Sequence, residues 1–222
     1  MYRSLLWSFL FCGVFAYSSH AAITISGNNS AGARLLLASS SGAELPTGSA
    51  IRVGFFNDPV SNTAILAGSD YGAINAIFKP IGEGQVGGGT VSTGALSVNA
   101  TPGRFSFAVN SITQTYAPQN TPIYFWVFND AVPAAATEWA IFTNDDSSNS
   151  GSPWIVPFDD PDLGGSITMS VITTRVDDAS DLVSGTFGVS AGGFPQIRTV
   201  PEPGLAALCL TAIPLFLRRR RS

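Results

Sequence analysis

Three glutamates and three aspartate clusters hold most of the acid–base and metal-binding potential between the two apolar ends of this chain. Glu138 precedes Trp139. A carboxylate beside an indole is a pairing that suits sugar cleavage, with one group for proton transfer and one surface for stacking. Glu44, Glu83 and Glu138, with any aspartate as second member, are therefore the candidates for a carboxylate-dependent glycoside hydrolase. Nothing in the spacing pairs Glu138 with a second acid, and a strand-edge glutamate next to a core tryptophan has the same local sequence. The aspartates lie in polar loops: Asp145-Asp146, Asp159-Asp160-Pro161-Asp162, and Asp177-Asp178 with Asp181. Ca²⁺ takes about six to eight oxygens from such loops, which makes Asp159, Asp160, Asp162, Asp177 and Asp178 calcium candidates. They follow no EF-hand or calcium-repeat spacing, and aspartates that close turns look the same.

Missing residue types exclude whole mechanisms. Residues 22–199 contain no histidine, no cysteine and one lysine, Lys79; His20 and Cys12 lie before them and Cys209 after. A Ser-His-Asp triad lacks its base and a Cys-His pair lacks both members. Zinc, haem and iron–sulfur ligation by Cys or His is impossible, and so is a disulfide. No cofactor is required by what remains; calcium is the one ion its chemistry fits. Six basic residues stand against fourteen acidic ones in this span, a net of −8. That charge disfavours nucleic acid and anionic lipid, which want a basic face. Gly82, Gly84 and Gly87 match G-x-G-x-x-G, but an alternating Thr90 to Val98 follows where a dinucleotide site needs a helix. They read as a glycine loop.

The elements that must position these residues are short strands between turn signals. Ile23-Thr24-Ile25, Arg34 to Ala38, Ile51 to Phe55, Trp139 to Thr143, Trp154 to Val156, Ser166 to Thr173, Gly185 to Val189 and Gln196 to Thr199 all fit. Thr90 to Val98 and Arg104 to Val109 flank Asn99 to Gly103 as a hairpin. Ile123 to Phe128 is apolar on both faces, the mark of a strand covered on each side. Ser69 to Phe78 is the one helical stretch, with Tyr71, Ile74, Ile77 and Phe78 on a face. The pattern predicts an all-β body over 22–199, an antiparallel β-sandwich or jelly roll. Trp126 belongs in its core; Trp139, Trp154, Tyr71, Tyr116 and Tyr124 fit either a core or a carbohydrate-stacking patch.

The ends carry different information. Arg3, an apolar run from Leu5 to Tyr17 and the small residues Ser19 and Ala21 form a secretory signal peptide over 1–21, cut between Ala21 and Ala22 by signal peptidase. At the other end Pro201-Glu202-Pro203 precedes an apolar stretch, 204–217, and then Arg218, Arg219, Arg220 and Arg221. As a helix that stretch covers roughly 21 Å, short of the ~30 Å hydrocarbon core. The arginine stems snorkel and their charges resist translocation, so a single membrane-spanning helix is expected with the body outside.

The order of these three C-terminal parts resembles the PEP-CTERM sorting signal, which exosortase systems process in Gram-negative bacteria. The resemblance covers residues 200–222. It implies that Pro201, Glu202 and Pro203 are the recognition motif, that an exosortase-type enzyme removes the tail near it, and that the body goes to the cell surface or a polysaccharide matrix. It implies no activity. The resulting expectation is an exported, transiently membrane-anchored surface or matrix protein with a non-enzymatic structural or adhesive role. The alternatives are a calcium-assisted carbohydrate-binding module and the carboxylate hydrolase.

Overall fold

A computed structural model describes residues 23–29, 34–57, 70–81, 88–93, 101–145, 153–158, 164–171, 175–177 and 180–202, with 88–93 described by their backbone. Within them the chain runs through β1 (Ile23–Asn28), β2 (Leu36–Ala38), β3 (Ile51–Phe56), α1 (Tyr71–Ile77), β4 (Phe78–Pro80), β5 (Gly88–Thr93) and β6 (Ser106–Ile112). It continues through β7 (Tyr124–Phe128), a 3-10 turn at Pro133–Ala135, β8 (Glu138–Phe142), β9 (Ser166–Ser170), β10 (Leu182–Ser184), β11 (Thr186–Val189), β12 (Pro195–Arg198) and β13 (Val200–Pro201). Among the described residues the fold is all-β with one short α-helix, as the sequence predicts. No helix among the described residues is long and apolar enough to cross a membrane; residues 204–217 lie outside them.

Alternation of side chains explains how the layers meet. One sheet has the order β5-β6-β1-β9, and a second runs β10-β8-β7-β3-β4 with β13 also on β8. Ile23, Ile25, Phe107 and Val109 from the first share one apolar cluster with Val53, Phe55, Phe125, Val127 and Phe142 from the second. The opposite face of the second sheet presents Phe78, Tyr124, Trp126, Phe128, Trp139 and Ile141, packed with Ile74 of α1. All five residues of β7 are therefore buried, the two-sided burial that its unbroken apolar run implies. Gly27 lets the sheets approach: a Cβ there would lie 2.7 Å from the Phe107 ring and 3.1 Å from that of Phe125. Helix α1 starts where Asp70 Oδ1 accepts the Ala73 amide at 2.8 Å, and it buries Ile74 as its pattern predicts.

Two pairings correct the antiparallel expectation. β1 runs parallel to β9, and in a third sheet of order β11-β12-β2 the strands β12 and β2 are parallel. A period of two residues reports which face a side chain takes and says nothing of strand direction. The expected pairing of β5 with β6 forms, antiparallel, with Val91 opposite Val109. The stretch around Trp154 makes only an isolated bridge, Ile155 to Pro122.

The outer edge of β8 is closed in two pieces. Leu182 and Ser184 of β10 pair with Phe142 and Ile141, and Val200 and Pro201 of β13 pair with Trp139 and Glu138. Between the pieces, β11 and β12 swing out into the third sheet. Gly185, at φ 122°, makes that corner; a Cβ there would meet the Ala140 Cβ and the Arg198 carbonyl, each at 2.9 Å.

Candidate functional site

Glu138, the foremost catalytic candidate, is engaged by its neighbours. Its Oε1 accepts from the Ser40 hydroxyl at 2.6 Å, and its Oε2 from the Ser40 amide at 2.9 Å and the Thr199 hydroxyl at 2.8 Å. Burial pushes its pKa up, but the Ser40 hydroxyl and amide and the Thr199 hydroxyl outweigh that and hold it below the ordinary value. A carboxyl so held stays ionised and ties the β2–β3 loop to the start of β13. Glu44 is exposed, and its backbone bridges back to Ala38 of β2. Glu83 lies outside the described residues, as does the whole glycine loop 82–87.

The tryptophans do not make a stacking platform. Trp126, Trp139 and Trp154 are at most 1% exposed, and Tyr116 and Tyr124 are buried too. Trp139 stands edge-on to Trp126, and Trp154 edge-on to Phe125.

Asp181, which the sequence offers only as a neighbour of Asp177-Asp178, organises one acidic region. It is buried; Oδ1 accepts the Asp145 amide at 3.2 Å and Oδ2 the Asp177 amide at 2.9 Å. Its own carbonyl accepts the Thr143 amide, so it pins the loop after β8 against the approach to β10. Asp145 and Asp177 are exposed. Asp159, Asp160, Asp162 and Asp178 fall outside the described residues, and among those described no three His, Cys, Asp or Glu side chains converge to hold a metal. Beside Asp145 a cavity of about 220 Å³ opens between Pro122, Tyr124, Pro153 and Trp154. Burial, and then the Asp145 carboxylate, raises the Tyr124 phenol pKa above its ordinary value.

A more exposed surface lies on the third sheet, and no sequence motif marks it. β11 is the edge strand, hydrogen-bonded to β12 alone among the described strands. Its Phe187 is 38% exposed and its Val189 60%, and Phe194 in the following turn is 45% exposed beneath the Arg34 guanidinium, 5.1 Å from its ring. Phe187 also lines a cavity of about 190 Å³ with Leu35, Val176, Asp177 and Pro195. Alternation could have placed Phe187 and Val189 on one face of a strand. Their exposure depends on what covers that face of the third sheet, which only the fold reveals.

At the C-terminal boundary the fold runs into the Pro-Glu-Pro segment. Besides the β13 pairing, the Thr199 amide donates to the Ala38 carbonyl at 2.8 Å and the Glu202 amide to the Thr137 carbonyl at 2.9 Å. Glu202 Oε1 accepts the Tyr71 amide, the first of α1, at 3.0 Å. Pro201 has no amide to offer, which suits an outermost strand. Pro203, Ala21, Ala22 and Arg218 to Arg221 lie outside the described residues.

Comparison with protein-family models, with curated proteins and with solved structures returns no match.

Proposed function

We propose that this chain is an exported surface or matrix protein with a non-enzymatic, adhesive role, sorted by a PEP-CTERM-type tail and adhering through the β11 edge. Residues 1–21 are the leader, 22–199 the exported body and 200–222 the sorting tail, with 204–217 crossing the membrane until an exosortase-type enzyme acts. The two sheets that share one apolar cluster support a sandwich as the architecture of the body.

The observation that carries the reading is β11 itself. It has one strand neighbour among the described residues and exposes Phe187 and Val189, while the Arg198 guanidinium of β12 lies over Gly188 and donates to the Val189 carbonyl at 2.8 Å. Exposed apolar side chains grouped at a sheet edge mark an interaction surface. An extended segment of a matrix component can add to that edge by backbone hydrogen bonds, with an apolar side chain in the Phe187 cavity. The engagement of Glu138 by Ser40 and Thr199 gives that carboxylate a structural task, which favours adhesion over sugar hydrolysis.

Val189→Lys tests this. At 60% exposure the change should alter stability by no more than about 0.5 kcal/mol. A lysine on the edge blocks strand addition. Binding of the purified body to matrix from a strain lacking the protein should fall about tenfold, a loss of ~1.4 kcal/mol, with the melting temperature unchanged. Undiminished binding would remove β11 from the proposal.

A further inference from the structure

The Pro-Glu-Pro segment is joined to the body through Pro201 and Glu202 and through Thr199 and Val200 before it. β13 pairs with β8, the Glu202 amide and carboxylate meet Thr137 and Tyr71, and Thr199 meets Ala38 and Glu138. Thr199 is 1% exposed. An enzyme that recognises Pro201, Glu202 and Pro203 in an extended site needs the same backbone groups and the same carboxylate that the body holds.

We infer that β13 is a latch: Pro201 is exposed, but the folded body holds the backbone at Val200 to Glu202 and the Glu202 carboxylate, so tail removal proceeds only from a state in which residues 199–202 have peeled from β8 and α1. This rests on the sorting reading proposed above and adds its regulation. The physics is local unfolding. A two-residue edge strand can open without the rest of the sheet, and the rate of any reaction on it scales with the open fraction. Glu138 is the positioning residue, since its carboxylate fixes Thr199 at the hinge of the latch. The device makes processing sensitive to whatever loosens β13, while the two sheets stay folded.

Thr199→Val removes the hydroxyl that donates to Glu138 Oε2 and keeps a β-branched strand residue, leaving 201–203 untouched. The full chain, parent or variant, is isolated from a strain without the processing enzyme, and hydrogen exchange is followed at the backbone amides of positions 199 and 202. Tail removal is timed by pulse–chase in a strain that has the enzyme. Both amides should be protected in the parent chain, and Thr199→Val should raise their exchange and the rate of tail removal by the same factor, about tenfold. Val109→Ala, which opens a cavity in the other sheet, should lower the melting temperature and leave tail removal unchanged. Free exchange of both amides in the parent chain overturns the latch. So does protection that Thr199→Val relieves without any change in tail removal. Absence of tail removal in every variant, with the amides protected, overturns the sorting reading and the latch with it.

Discussion

The Glu138 carboxyl is stabilised as an anion by three donors, and that has a pH signature. Its folded pKa lies below the ordinary 4.5. The stability it contributes is therefore complete above that value and is lost as pH falls through the lower, folded one. Melting temperatures of the parent body and of Glu138→Gln, measured from pH 7 to 3, should differ most near neutrality and converge at the acid end. A gap that stays constant across that range would mean that the charge is immaterial. Residue type alone marks Glu138, and its neighbour Trp139 suggests a sugar site. The donors that assign it a structural task sit 98 and 61 residues away, at Ser40 and Thr199. Asn29 shows the same limit. It is fully buried, donating to the Leu35 and Gly103 carbonyls and accepting the Phe105 amide, and its sequence context suggests only a turn.

Strand β7 shows what a run of one element can disclose. Its burial on both faces is readable because six apolar residues in a row, Ile123 to Phe128, leave no polar face for solvent. Phe125 lies parallel to Phe142, ring centroids 5.1 Å apart, and meets Phe105, Phe107 and Trp154. Phe125→Ala should cost about 3–5 kcal/mol in chemical denaturation, as large core rings do. A loss below about 1 kcal/mol would contradict its placement. Helix α1 is equally open to reading, since Ile74 falls on a 3.6-residue stripe. The short strands β4, β10 and β13 are not, because two or three residues hold no period. Nor can alternation reveal that β1 and β9 run parallel, or that β11 stands at an edge.

At the scale of the whole molecule the last strand matters beyond its length. A body ending at residue 199 lacks β13 and the two bonds of Glu202, and it uncovers β8 at Glu138 and Trp139. The body 22–199 should melt about 3–8 °C below 22–202, and reductant should shift neither, since neither contains cysteine. Equal melting temperatures would show that β13 adds nothing to the sheet. Composition alone yields the reductant result. The dependence on 200–202 needs the pairing, because a segment that reads as a sorting address gives no hint that it is also a strand.

β1 sits between β6 and β9, and on the proposed export route it begins one residue beyond the leader cut. Its contacts to β9 span long stretches of chain; Ser26 meets Ile167 across 141 positions. On that proposed route the first strand would wait, half its partners still to come, until most of the body had crossed. That wait is an interval of extended, accessible chain next to Ala21 and Ala22, and extended chain is the form a peptidase can bind. Once β9 arrives, β1 is held in mid-sheet. On the proposed route, the sequence distance between β1 and β9 would thus leave an interval for leader removal that closes when the sheet is finished.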